Sequence, residues 1–186
     1  MVAEQKNDDK QDIRVIFLDV DGVLNAQCDF GGKSRPNPRV GVYAGIARCH
    51  VRELKKIVDA TGAVIVLTSS WKTEWLAYCR GEDSMYGKYL RQKLRQEGLT
   101  IFDTTAAFEP TPCERGAGII NWCRYIRRSH KRNVVSWIAI DDEEFPDFNL
   151  ITGHLILTSD YTGLTSELAT KAIDKLLRPE RLVVDL

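Results

Sequence analysis

The sequence predicts an α/β protein built as a three-layer α/β/α, Rossmann-like parallel sheet. Short apolar runs alternate along the chain with segments of helical hydrophobic spacing, and this order is typical of parallel sheets. The runs are continuously apolar, as strands covered on both faces are. Two of them, Arg14–Leu18 and Val134–Ile140, lead directly into aspartates. In such sheets ligands bind at the carboxyl ends of the strands.

The elements follow from local composition and periodicity. The predicted strands are short and rich in apolar residues: Arg14–Leu18, Val64–Leu67, Leu99–Phe102, Val134–Ile140 and His154–Leu157. The predicted helices carry apolar residues three or four positions apart: Val51–Val58, Trp71–Cys79, Ser84–Glu97, a segment beginning near Arg115, and Leu168–Leu177. Gly62 and Gly98 are expected to end two helices, and Ser84 to cap the start of one.

Length and composition indicate one globular domain. The 186 residues are 44% hydrophobic and 28% charged, and the 26 basic and 26 acidic residues cancel, which excludes a strongly basic surface overall. We predict a flexible tail over residues 1–12 and a single domain over 13–186. No apolar run approaches the ~20 residues that span a bilayer. With five scattered cysteines interpreted as reduced thiols, this predicts a cytoplasmic protein with no membrane contact, and no obligate protein partner is evident.

Carboxylates and hydroxyls follow three of the predicted strands. They are Asp19, Asp21, Thr68, Ser69, Ser70, Asp141 and Asp142. If the sheet forms as predicted, four carboxylates meet at one edge and repel each other. A hard divalent cation with oxygen ligands, usually Mg²⁺, relieves this repulsion. Together with hydroxyl donors and a nearby basic residue, this set predicts phosphoryl chemistry.

Three segments resemble motifs of the haloacid-dehalogenase-like (HAD) hydrolase superfamily, in the family's order. Phe17–Asn25 (Phe-Leu-Asp-Val-Asp-Gly-Val-Leu-Asn) resembles the first motif, Val64–Thr68 the second and Ile138–Asp142 the fourth. The resemblance covers about residues 13–177. A lone Asp-x-Asp is weak evidence, but Asp-x-Asp-Gly after an apolar strand, with a later strand ending in Asp-Asp, is much more specific.

The resemblance implies a Mg²⁺-dependent phosphatase. By position, Asp19 is the nucleophile that forms an aspartyl-phosphate. Asp21 protonates the leaving oxygen and then activates the hydrolytic water, since one positioned carboxyl can serve both steps. Thr68 donates a hydrogen bond to the phosphoryl group. Asp141, helped by Asp142, holds Mg²⁺ together with Asp19 and a backbone carbonyl at Asp21.

The third motif departs from the family pattern, which usually has a lysine near the start of the helix before the fourth strand. Arg115 occupies the best matching position, and Lys131 is the less favoured alternative because it follows the helix. Arginine supplies the positive charge, but its planar guanidinium does not reproduce the compact ammonium group of lysine. Two interpretations stay open: Ser69 either contacts substrate or caps the following helix, and Asn25 either contacts the site or forms a turn.

The intervals between the motifs are too short for a full cap domain, so the chain resembles a minimal, nearly capless member. An open site admits a phosphoprotein or a nucleic-acid end as well as a phosphorylated small molecule. The loop Gly31–Arg39 and the helix segment Lys88–Arg95 are the predicted substrate selectors. Some small HAD domains of this appearance are associated with RNA repair, and the resemblance extends to them.

Two other functions compete with the phosphatase. A catalytically silent phosphate-binding module is kept open by Arg115, which stands where the family has lysine. A receiver-like signalling domain also uses aspartate and Mg²⁺ on a parallel sheet, but it places its phosphoacceptor at a middle strand, where this chain has Thr68. Turnover of an aryl phosphate separates the phosphatase from both.

Overall fold

Strands and helices alternate in the computed structural model, which describes residues 11–30, 45–111, 113–129 and 132–178. The strands are β1 (Gln11–Leu18), β2 (Val64–Leu67), β3 (Ile101–Thr104), β4 (Arg132–Asp141) and β5 (Leu155–Leu157). The helices are α1 (Arg48–Thr61), α2 (Lys72–Cys79), α3 (Met85–Arg95), α4 (Arg115–Ser129) and α5 (Ser166–Leu177), with 3-10 helices at Gln27–Phe30 and Phe148–His154. Among these described residues, no helix has the length and apolar content to cross a membrane.

The five strands form one parallel sheet in the order β3-β2-β1-β4-β5, which confirms the predicted fold class. Leu18, the last residue of the central strand β1, pairs with Leu67 on one side and Ile140 on the other. The backbone N–H of Asp19 then donates to Ile140 (3.0 Å) and that of Thr68 to Leu18 (2.9 Å). The register therefore brings the residues after β1, β2 and β4 to one level.

Side chains of β1 alternate between two apolar cores, one on each face of the sheet. Ile16 and Leu18 are buried with residues of α1, α3 and α5. Val15 and Phe17 are buried with residues of α4 and the second 3-10 helix. The rings of Phe17 and Trp122 meet edge to face at a centroid distance of 5.4 Å. A strand buried on both faces explains why its sequence is continuously apolar.

Element boundaries differ modestly from those predicted. Strand β1 begins at Gln11, inside the predicted 1–12 tail, because Gln11 pairs with Arg132 of the long neighbouring strand. Strand β3 begins two residues later than predicted, at Ile101, because Leu99 still donates its backbone N–H to Leu94 at the end of α3 (3.0 Å). The predicted N-cap is confirmed, since the Ser84 side chain accepts a hydrogen bond from the Gly87 N–H.

Candidate active site

A cleft of about 410 Å³ opens at the carboxyl ends of the central strands. Its lining contains five carboxylates and one guanidinium: Asp19, Asp21, Asp142, Glu143, Asp160 and Arg115, with Gly22, Asn25, Gln27 and Ser70 completing it. The sheet register explains why residues distant in sequence meet here. A cleft with this excess of negative charge attracts a cation more strongly than it attracts a free anion.

Arg115 bridges the two most deeply buried carboxylates of the site. As the first residue of α4, it places Nη1 2.8 Å from Asp19 Oδ1 and 2.8 Å from Asp141 Oδ2. Its guanidinium carbon lies 4.3 Å from the centroid of the Phe145 ring. The structure thus places Arg115 where the sequence analysis expected the basic residue of the third motif. The alternative, Lys131, lies outside the described residues.

Burial and mutual repulsion raise the pKa values of three carboxyl groups of the site, Asp19, Asp141 and Asp142. Burial raises the pKa of Asp19 well above its ordinary value, the Asp141 charge raises it further, and Arg115 lowers it. Burial also raises the pKa of Asp141, against the lowering effect of Arg115. For Asp142, burial and Asp141 raise the pKa to about 6. The charge of one guanidinium therefore does not offset the effects of burial and mutual repulsion on these three carboxyl groups.

These three carboxylates fit a magnesium ion. Asp19, Asp141 and Asp142 each offer one oxygen, and these oxygens lie within 4.8 Å of one another. Their raised pKa values reflect the shortage of positive charge that a dication relieves. Carboxylate oxygen is also the donor that Mg²⁺ prefers.

Asp21 is held by hydrogen bonds to both of its carboxylate oxygens. Asn25 Nδ2 donates to Oδ1 at 2.8 Å, and the indole Nε1–H of Trp71 donates to Oδ2 at 2.9 Å. Asn25 Oδ1 also accepts from the Gly22 N–H at 2.9 Å. Both interpretations of Asn25 therefore hold, because it forms the turn and contacts the site. The contact of Trp71 was missed, since helical spacing marks this residue only as buried.

The hydroxyls after β2 occupy different places. Ser69 is fully buried, hydrogen-bonds the Asp19 carboxylate and accepts from the Trp71 N–H at 3.3 Å, so it contacts the site and the start of α2 together. Thr68 is 2% exposed and does not line the cleft, whereas Ser70 does. The expected hydrogen bond from Thr68 to a phosphoryl group remains a prediction.

A second basic side chain lies near the end of β2 and was not among the site residues predicted from the sequence. Lys72 Nζ lies 3.4 Å from the Thr68 carbonyl oxygen and 3.3 Å from that of Ser69. It also forms an ion pair with Glu109 Oε2 at 3.0 Å, and both side chains are largely buried. Because Glu109 neutralises Lys72, the pair leaves the charge balance of the cleft unchanged. Its signal in sequence is a lysine one turn after a strand-end threonine.

Gly22 is required where it stands, both for its backbone and for its lack of a side chain. Its φ is +61°, and a Cβ there would lie 2.1 Å from Asp142 Oδ2. Gly22→Ala is therefore expected to displace Asp142 and weaken Mg²⁺ binding, besides costing about 1–2 kcal/mol of backbone strain. The measurement is Mg²⁺ affinity by calorimetry, alongside the free energy of unfolding in chelator.

Gly62→Ala is the matched control for this prediction. Gly62 has a φ of +67°, but a Cβ there meets nothing within 4 Å. The control should lose similar stability and keep its Mg²⁺ affinity. Equal Mg²⁺ affinities in the two variants would show that a side chain at position 22 does not displace Asp142.

The parallel sheet with its acidic strand ends is consistent with the Rossmann-like fold of the HAD superfamily. More specifically, the chain belongs to the family described as the HAD domain in Swiss Army Knife RNA repair proteins, which it matches over residues 15–169. The family is generally one of hydrolases and phosphatases and typically uses Mg²⁺. Neither the curated proteins nor the solved structures include one that matches the chain.

Proposed function

We propose that the protein is a Mg²⁺-dependent phosphatase that removes a phosphate from an RNA end through an aspartyl-phosphate on Asp19. The observation that carries this proposal is the position of Arg115 between Asp19 and Asp141 in an acidic cleft. A guanidinium there lowers the pKa of the buried carboxyl groups beside it and offers its charge to an incoming phosphoryl group. The RNA end is inferred from the family's description alone.

In the proposed mechanism, Asp19 attacks phosphorus and forms a bond from one carboxylate oxygen. The bond from phosphorus to the leaving oxygen breaks, and Asp21 gives that oxygen a proton. Asp21 then accepts a proton from water as the water attacks phosphorus, which releases phosphate and restores the Asp19 carboxylate. Bound Mg²⁺ would supply positive charge to the phosphoryl oxygens, with Asp19, Asp141 and Asp142 as its protein ligands.

Asn25 and Trp71 support the role proposed for Asp21. Their two hydrogen bonds fix the carboxyl group of Asp21 at the cleft. A proton donor that serves two successive steps needs a constant position relative to phosphorus. We propose that these two side chains provide that orientation, and that Ser69 does the same for Asp19.

The predicted substrate selectors are supported unequally. The loop Gly31–Arg39 lies outside the described residues. Helix α3 carries the exposed residues Lys88, Arg91 and Arg95, which line a separate groove with Tyr78. This groove shares no residue with the acidic cleft. Helix α3 would therefore contact only the part of an RNA that extends beyond the reacting phosphate.

The test is phosphate release from RNA oligonucleotides phosphorylated at either end, with an aryl phosphate as the generic substrate. Release is expected to require Mg²⁺, and Asp19→Asn is expected to lower kcat by roughly 10⁴-fold or more, as loss of a nucleophile does. Asp59→Asn is the matched control because Asp59 is exposed on α1.

Two outcomes would replace the proposal. Protein that binds Mg²⁺ but releases phosphate from no substrate would be a phosphate-binding module. A stable phospho-aspartate without turnover would indicate a receiver-like domain. Release from the aryl phosphate alone would keep the phosphatase and reject the RNA end.

A further inference from the structure

A second group of metal-binding side chains lies outside the acidic cleft. Asp29 belongs to the first 3-10 helix, and Cys49 and His50 belong to the first turn of α1. One ligand atom from each lies within 4.8 Å of the other two. His50 Nε2 is 2.9 Å from Asp29 Oδ2, and Cys49 Sγ is 3.7 Å from Asp29 Oδ1. None of the three lines the acidic cleft.

The surroundings of His50 fix the protonation of its ring. Nδ1 is 2.9 Å from the backbone oxygen of Leu164. A carbonyl oxygen only accepts hydrogen bonds, so Nδ1 carries a proton. In a neutral ring Nε2 then holds a lone pair, and this lone pair faces the carboxylate of Asp29, which is also an acceptor. The His50 side chain is only 8% exposed, so these two acceptor atoms need a positively charged partner in common.

That partner is either a proton shared by the two side chains or a metal ion that binds both. A histidine that binds a metal through Nε2 usually donates its Nδ1–H to a backbone carbonyl or a carboxylate, as His50 does to Leu164. The space beside Nε2 is bounded by Gly163, where a Cβ would lie 2.8 Å from that nitrogen. The glycine at position 163 therefore leaves free the space that a side chain there would take beside Nε2.

We propose that Asp29, Cys49 and His50 form a Zn²⁺ site with its fourth position open to water. A thiolate, an imidazole nitrogen and a carboxylate are the donors that Zn²⁺ takes in tetrahedral sites. Cys49 is exposed, which leaves a path for the ion to enter. The site is independent of the proposed phosphatase activity, because its ligands and its preferred metal both differ from those of the acidic cleft.

Zinc at this site would join two segments within the connection from β1 to β2. It would tie the 3-10 helix at Gln27–Phe30 to the start of α1. Through the hydrogen bond from His50 to the Leu164 carbonyl, it would also connect these segments to the chain just before α5. Burial and Asp29 raise the pKa of the Cys49 thiol, so the thiol is protonated before the ion arrives. Zinc binding therefore releases that proton to solvent.

Cobalt titration of metal-free protein in excess Mg²⁺ tests the proposal. Co²⁺ bound to a thiolate gives a near-ultraviolet charge-transfer band, whereas Co²⁺ bound only by carboxylates at the acidic cleft gives none. The wild-type protein is expected to show this band at one ion per chain, and Zn²⁺ should displace the cobalt and raise Tm. Cys49→Ser is expected to lose the band and weaken Zn²⁺ binding roughly tenfold or more.

Cys79→Ser is the matched control, because Cys79 is also exposed but lies at the end of α2. It should keep the band and the zinc affinity. Asp29→Asn is a second variant, expected to weaken zinc binding without removing the thiolate band. A wild-type protein with no band, or a band that persists in Cys49→Ser, would overturn the proposal. In that case a proton alone joins His50 to Asp29.

Discussion

Arg115→Met is expected to lower kcat/KM for phosphate release by about 10²–10³-fold, the usual loss when one charge-stabilising donor is removed. The guanidinium joins Asp19 to Asp141 through 2.8 Å contacts, and the variant leaves both buried carboxylates without their partner. The pKa of Asp19 should rise further, so that less of the nucleophile is ionised at neutral pH. Steady-state kinetics from about pH 6 to pH 9 measures both effects.

Two further variants separate this chemical role from a loss of folding. Arg115→Lys keeps the charge and is expected to recover part of the activity, although its ammonium cannot reproduce the planar guanidinium. Arg124→Met removes an exposed arginine from the same helix and should behave as wild type. Full activity in Arg115→Met, folded and loaded with Mg²⁺, would reject Arg115 as the basic residue of the site.

Metal-free protein is expected to become more stable as the pH falls from about 7.5 to about 5 through the titration of Asp142. Its pKa is raised to about 6 from an ordinary value of 3.8. Between these values the folded state binds more protons than the unfolded state, so the free energy of unfolding decreases as the pH rises. Asp142→Asn should reduce this slope and raise stability at pH 7.5 by on the order of 1 kcal/mol, allowing for solvent screening of a half-buried group.

Denaturant unfolding at several pH values in chelator measures this effect. When the measurement is repeated with Mg²⁺, we expect the wild type to be the more stable of the two proteins. Mg²⁺ should stabilise the wild type more than Asp142→Asn at pH 7.5, because the variant lacks one proposed ligand. Asp59→Asn, on the exposed face of α1, serves as the control and should follow the wild type in both conditions. Identical profiles of stability against pH for the wild type and Asp142→Asn would show that folding does not raise the pKa of Asp142.

The fold could be predicted because its signals are local. Continuous apolar runs ending in polar residues mark strands such as β2 (Val64–Leu67). Ser84 marks the start of a helix through its side-chain hydroxyl, and Gly62 marks the end of one through its left-handed backbone. The boundaries of β1 and β3 were less accurate, because pairing with a neighbouring strand extended one and a residual helical turn delayed the other. These effects depend on residues distant in the sequence, so a short window of sequence does not indicate them.

The candidate site could be predicted only in part, for a related reason. Asp19, Asp141 and Arg115 were named from strand ends and from the family pattern, and the structure brings all three together. The hydrogen bond from Trp71 to Asp21 depends on how the indole turns between two layers, and no residue spacing indicates it. The ion pair of Lys72 with Glu109 joins residues 37 positions apart in the chain, so it too emerges only in three dimensions.

The covalent intermediate on Asp19 is the central claim, and trapping it is the most direct test. In Asp21→Asn, the water that hydrolyses the intermediate lacks its base, so phosphorylated protein should accumulate. We would incubate this variant with Mg²⁺ and an aryl phosphate, quench with acid, reduce with borohydride and map the site by mass spectrometry. Reduction of an aspartyl-phosphate gives homoserine, and we expect homoserine at position 19 and none in the Asp19→Asn, Asp21→Asn double variant. Mg²⁺-dependent phosphate release by Asp19→Asn at the wild-type rate would contradict this account.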